Sequence, residues 1–150
     1  LFKLEGTHVK SVTGFYIEVK DALDRESQPI QVFNKIDDGE KHGLGQEWDL
    51  VYADEYPDEP TKGELNEEFG LYVERDFYIV SNQSSHKYMQ VVNNRDMVVK
   101  TRNGRKEQVF YFDQKRKAII PRSVNKSVEI KNSGKNKEMI VYNNSYSHWW

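Results

Sequence analysis

Cysteine is absent from the 150 residues, so neither disulfides nor thiolate metal sites are possible. No stretch reaches the ~18 consecutive apolar residues that a membrane-spanning helix needs, and no membrane span is expected. Gly-x-Ser-x-Gly, Gly-x-x-x-x-Gly-Lys-Ser/Thr and Gly-x-Gly-x-x-Gly are all missing, which removes the nucleophile elbow, the phosphate loop and the dinucleotide fingerprint. The four histidines, His8, His42, His86 and His148, are scattered without metal-ligand spacing. The carboxylate pairs Asp37-Asp38 and Asp54-Glu55 are sequence neighbours, and neighbours on a strand point to opposite faces. No catalytic residues, no metal and no cofactor are expected, and the chain reads as a non-enzyme. Helical periodicity is scarce. The chain opens on Leu1 rather than Met, which suggests a processed or excised product.

What the chain does have is a repeat. Short β-rich runs are bounded by Gly, Asn, Asp and Ser, and three sets of them follow one pattern. The first set is Phe15–Val19, Ile30–Phe33 and Trp48–Tyr52. The second is Tyr88–Val92, Met97–Lys100 and Val109–Asp113, and the third is Ser127–Ile130, Met139–Tyr142 and His148–Trp150. Phe2–Leu4, Phe77–Ser81 and Lys117–Ile120 are expected to open the three units, giving twelve strands. Repeated units of this size cannot bury their apolar faces alone and must close on one another. One all-β domain over 1–150 is therefore expected, with repeat one at about 1–53, repeat two at about 76–115 and repeat three at about 116–150. Residues 54–75 break the repeat. They carry Pro57, Pro60 and many acids, and are expected to form a surface excursion with a helical turn near Glu64–Phe69. Phe69, Leu71 and Tyr72 are candidates to pin its far end.

The units end alike, on Gln46-Glu47-Trp48, Gln108-Val109-Phe110 and Ser147-His148-Trp149, the last without its glutamine. Gln-x-Trp closing each of three four-stranded units resembles the ricin-type β-trefoil, or R-type lectin, family. The resemblance spans the chain outside the 54–75 insertion. It implies a barrel of six strands capped by three hairpins, with Trp48, Phe110 and Trp149 as structural core. It also implies shallow sugar pockets. In that pattern an acid follows the second strand's apolar pair, a ring ends the third strand, and an amide precedes Gln-x-Trp. Unit one offers Glu18, Phe33 and Asn34, with Gly45 in the amide's place. Unit three offers Glu129, Tyr142 and Asn143. Unit two, with Gln90, Lys100 and Glu107, is not expected to bind. The resemblance thus implies a weak, multivalent carbohydrate-binding module whose partners are glycans or glycoproteins, perched among other domains of a larger protein. Against it stands the plain alternative that Glu18 and Glu129 are strand residues, solvated or paired with Lys20 and Lys131.

Charge is polarised although the net value is only −2. Residues 1–76 balance to −11 and residues 77–150 to +9. The basic stretch Lys100–Lys117 mixes rings with cations, but a pI of 6.1 lies far below the range of dedicated nucleic-acid binders, and no nucleic acid is expected. Asp54, Glu55, Asp58 and Glu59 lack the spacing of a calcium loop. Three sequons, at Asn82, Asn125 and Asn143, offer N-glycosylation and fit a secreted or extracellular protein. Two other readings stay open: an interaction or scaffold trefoil without sugar sites, and a protease inhibitor using the 54–69 loop.

Overall fold

The structure, a computed structural model, describes residues 2–11, 13–36, 41–53, 65–131 and 137–142. Among these, helix is confined to one turn at Lys41–Leu44 and two 3-10 turns. The strands in chain order are β1 (Phe2–Glu5), β2 (His8–Ser11), β3 (Tyr16–Val19), β4 (Gln28–Phe33), β5 (Trp48–Tyr52), β6 (Leu65–Asn66) and β7 (Leu71–Tyr72). They continue as β8 (Phe77–Ser81), β9 (Tyr88–Val92), β10 (Asp96–Lys100), β11 (Phe110–Asp113), β12 (Ala118–Pro121), β13 (Ser127–Ile130) and β14 (Met139–Tyr142). Twelve join one antiparallel sheet, and β6 and β7 form a separate two-stranded ladder. The fold is a β-trefoil.

The threefold relation can be read from register. Three antiparallel pairs make the barrel: β1 with β2, β5 with β8, and β11 with β12. At the head of each pair a large ring faces a small or compact residue: Phe2 opposite Ser11, Trp48 opposite Ser81, and Phe110 opposite Pro121. All three rings are buried, where each is worth roughly 1.5–3 kcal/mol of burial. The backbone repeats the symmetry. Asn82 N–H donates to the Glu47 carbonyl at 2.9 Å, and Arg122 N–H donates to the Val109 carbonyl at 2.8 Å.

This register corrects the expected strand order. Phe2–Glu5 does not open unit one; His8–Ser11, a strand the alternation of Val9 and Ser11 signals only weakly, does so. Phe2–Glu5 instead takes the place of a closing strand, so Phe2 is the threefold mate of Trp48 and Phe110. Trp149 and the rest of the third closing motif lie outside the described residues.

Three hairpins cap the barrel: β3–β4, β9–β10 and β13–β14. The pairs Ile17–Val32, Met89–Val99 and Val128–Val141 occupy the same register in each, and all six residues are buried. β-Branched side chains dominate because they fit a pleated surface buried on one face. Each hairpin then bonds to the next: Ser27 N–H to the Val99 carbonyl, Val141 N–H to that of Arg95, and Val32 N–H to that of Lys137.

The far end of the insertion is sewn into the barrel mouth. Instead of a helical turn at Glu64–Phe69, residues 65–72 form a tight hairpin; residues 54–64 lie outside those described. Gly70 makes the turn at φ +71°, with the Leu4 carbonyl oxygen 3.3 Å from where a Cβ would stand, so a side chain there would be both strained and crowded. Phe69 and Leu71 are buried, the Phe69 ring lies 5.3 Å from that of Phe112, and the Phe69 carbonyl accepts from Leu4 N–H at 2.8 Å. Phe69 and Leu71 thereby join the same buried apolar cluster as Phe2, Val9, Ile79 and Phe112.

Candidate recognition surface

Each capping hairpin carries one acceptor position (Glu18, Gln90, Glu129), buried in all three units, and one strand-end position (Phe33, Lys100, Tyr142). In unit one the acceptor faces inward. Glu18 is 6% exposed, and its two carboxylate oxygens accept from the side-chain amides of Gln31 at 2.6 Å and Gln46 at 3.0 Å. Gln46 also donates to the Asn34 carbonyl at 2.7 Å and accepts from Ile36 N–H at 2.9 Å. The glutamine therefore staples the loop after β4 to the barrel, and Glu18 orients the staple. Trp48, two residues on, donates its indole N–H to the Ile17 carbonyl at 3.1 Å.

Unit two uses the same geometry with a neutral acceptor. Gln108 donates to Gln90 and to the Thr101 carbonyl, each at 3.0 Å, and accepts from Asn103 N–H at 3.1 Å. Asn103 donates its own amide to Gln90 at 3.0 Å. The Glu18 carboxylate, expected to bond a sugar, is thus engaged inside the protein. The sequence hid this because acceptor and staple are 28 residues apart, and only the fold joins them. In unit three Glu129 is likewise buried, at 8% exposure.

The strand ends differ in what they present. Phe33 is half-buried beside exposed Asn34, Lys100 is half-buried, and Tyr142 is 45% exposed. Their cross-strand partners are Tyr16, Tyr88 and Ser127. Units one and two add a second ring at each partner, in edge or tilted contact: His8 at 5.6 Å from Tyr16, and Tyr78 at 5.3 Å from Tyr88. In unit three these two positions hold Ala118 and Ser127, so neither carries a ring. The Ser127 hydroxyl is buried and has no hydrogen-bond partner among the described residues. Asn143, the amide that follows, lies outside the described residues.

Units one and two are latched by carboxylates. Asp24 accepts from Ser84 Oγ at 3.1 Å, Ser85 N–H at 3.0 Å and Lys87 Nζ at 3.4 Å. Burial pushes its carboxyl up, but the bonds from Ser85 and Ser84 and the charge of Lys87 outweigh that, and the net displacement is downward. Glu26 accepts from Thr101 N–H at 2.6 Å and Thr101 Oγ at 2.7 Å, and the side-chain bond from Thr101 leads in holding its carboxyl below the usual range. Of the sequons, Asn82 is half-buried and its Ser84 donates to Asp24. Asn125 is exposed and accepts from Arg116 at 2.7 Å. Among the described residues no group of three His, Cys, Asp or Glu side chains converges to hold a metal ion, and no helix is long and apolar enough to cross a membrane.

No protein-family model matches the chain, and no curated protein matches it in sequence. Among solved structures it is similar to a designed threefold-symmetric protein, ThreeFoil, at 16% identity and a TM-score of 0.62, over 88% of this chain and 84% of that one. At that identity the likeness speaks for the scaffold, and it places this sequence among the β-trefoils.

Proposed function

We propose that the protein is a non-enzymatic carbohydrate-recognition domain of ricin-type character, with unit three as its sugar-facing unit. The observation that carries this reading is Tyr142. It is the exposed ring among the three equivalent strand ends, and its cross-strand partner is Ser127 where the other units carry Tyr16 and Tyr88. An aromatic face of this kind stacks on the apolar C–H face of a sugar ring, while neighbouring hydroxyls and amides set its orientation. Ser127 across the ladder and Asn143 next in sequence are the polar groups at hand. Unit one keeps Phe33 and Asn34 for a secondary contact, without the help of Glu18. A single shallow site of this sort is weak, and useful avidity comes from several sites on one glycoprotein. A glycan array tests the reading: Tyr142→Ala is expected to abolish retained signals and Phe33→Ala to reduce them modestly. An array profile indifferent to Tyr142 refutes it.

A second reading, a scaffold trefoil that binds protein, draws on the acceptor position. Glu18 and Gln90 both serve loop tethering, which suits a trefoil shaped for other partners. Capture of a partner from source extract that survives excess free sugar favours it. Inhibition of a protease by the 54–69 loop would have to work with Phe69 anchored in the barrel.

A further inference from the structure

Unit two, where the lectin pattern fails, carries a different site. We propose that its loop 100–107 and the Tyr78–Tyr88 pair bind sulfated polysaccharide. This goes beyond the reading of unit three and does not depend on it. The Arg102 guanidinium lies over both tyrosine rings, 5.8 Å from the Tyr78 centroid and 5.9 Å from that of Tyr88. Lys100 stands directly across the ladder from Tyr88. At this distance the cation is drawn to the ring faces, while its N–H fork stays free to take an oxyanion through two parallel bonds.

Charge in the loop is one-sided. Lys100, Arg102, Arg105 and Lys106 face two acids nearby, Glu107 in the loop and Glu26, which is held on Thr101. None of the four cations forms an ion pair among the described residues. Cations elsewhere do: Lys87 with Asp24 at 3.4 Å, Arg116 with Asp113 at 3.5 Å, and Arg122 with Asp76 at 2.6 Å.

The loop is also set in advance. Gln108 holds Asn103 N–H and the Thr101 carbonyl, Glu26 holds Thr101, and Asn103 Oδ1 accepts from Arg105 N–H at 2.9 Å. Gly104 turns the chain at φ +72°. A loop already ordered gives up little freedom on binding, which favours affinity. Spaced sulfates on one sugar chain match cations spread along such a loop. A nucleic-acid strand fits less well: base stacking needs an open ring face, and Tyr78 and Tyr88 are half-buried against each other with Arg102 beside them.

Retention on immobilised heparin, eluted by salt and compared with uncharged dextran, tests the proposal. The wild-type protein is expected to be retained on heparin and not on dextran. Arg102→Ala should weaken heparin binding about tenfold and lower the salt slope by about one counterion. Arg102→Lys should recover only part of the loss, because it restores charge without the fork. A Lys115→Ala/Lys117→Ala control, on another turn of the basic half, should change little. Equal losses in the control and Arg102→Ala, no loss in Arg102→Ala, or tighter binding of oligothymidylate than of heparin overturns the proposal. Tyr142→Ala should leave heparin retention intact, so the unit-three reading and this one fail separately.

Discussion

Units one and two tie down the same loop with the same glutamine, yet against different acceptors. Gln46 bonds a buried carboxylate, Glu18; Gln108 bonds a neutral amide oxygen, Gln90. The geometry survives the exchange of charge for dipole, so what this position requires is an oxygen acceptor. Its conservation of role across two units is a matter of loop architecture, and an acid there is no evidence of a sugar site. The units diverge instead at the strand ends, where Phe33, Lys100 and Tyr142 occupy one register and share no chemistry. Inner positions answer to packing and outer ones are free to acquire separate functions.

The strongest way to break this comparison lies in the barrel head. Trp48→Ala and Phe110→Ala are each expected to cost about 3–5 kcal/mol, and Phe2→Ala about 3 kcal/mol if Phe2 truly serves as their mate. Denaturant titration of the three variants decides it, and a negligible effect of Phe2→Ala would dissolve the assignment of β1 as a closing strand. Next come the staples. Gln46→Ala leaves one oxygen of the buried Glu18 carboxylate and two loop groups without their donor or acceptor, at a cost of about 2–3 kcal/mol, whereas Gln108→Ala strands neutral groups at about 1–2 kcal/mol. The same titrations rank the two, and the reverse order would mean that charge at Glu18 contributes nothing.

The smallest effect is on pH. Asp24 and Glu26 have folded-state carboxyls displaced below their ordinary 3.8 and 4.5. Groups shifted this way add stability that is complete above those ordinary values and is lost as pH falls through the lowered ones. The latch between units one and two is therefore expected to weaken below about pH 4. Asp24→Asn should flatten that part of the stability profile, measured as the denaturant midpoint from neutral pH to about pH 3. Both groups lie near the surface, so the change is a modest one.

Much of the architecture was legible in the chain itself. The hairpins stood out because Ile17, Met89 and Val128 recur at one register with Val32, Val99 and Val141, and Gln-x-Trp marked two of the closing strands. His8–Ser11 escaped because four residues with two apolar positions make too little pattern to separate a strand from a turn. Phe2 escaped because its role depends on pairing rather than on any local motif. The candidate site was less legible. A carboxylate reads alike whether it faces solvent or a buried amide, and the partners of Glu18 lie 13 and 28 residues away. The Arg102–Tyr78–Tyr88 cluster brings together three segments that nothing in the linear order links.

The pairing of Phe2–Glu5 with His8–Ser11 also bears on the order in which the molecule assembles. Two seams of the barrel, β1 with β2 and β11 with β12, join neighbouring stretches of chain and can zip as soon as those stretches meet. The third, β5 with β8, must wait for the whole excursion between them to loop back. Closing a long loop carries an entropic penalty before any contact rewards it, so of the three seams this one bears the largest closure cost, and Phe69 and Leu71 lie within the loop it closes.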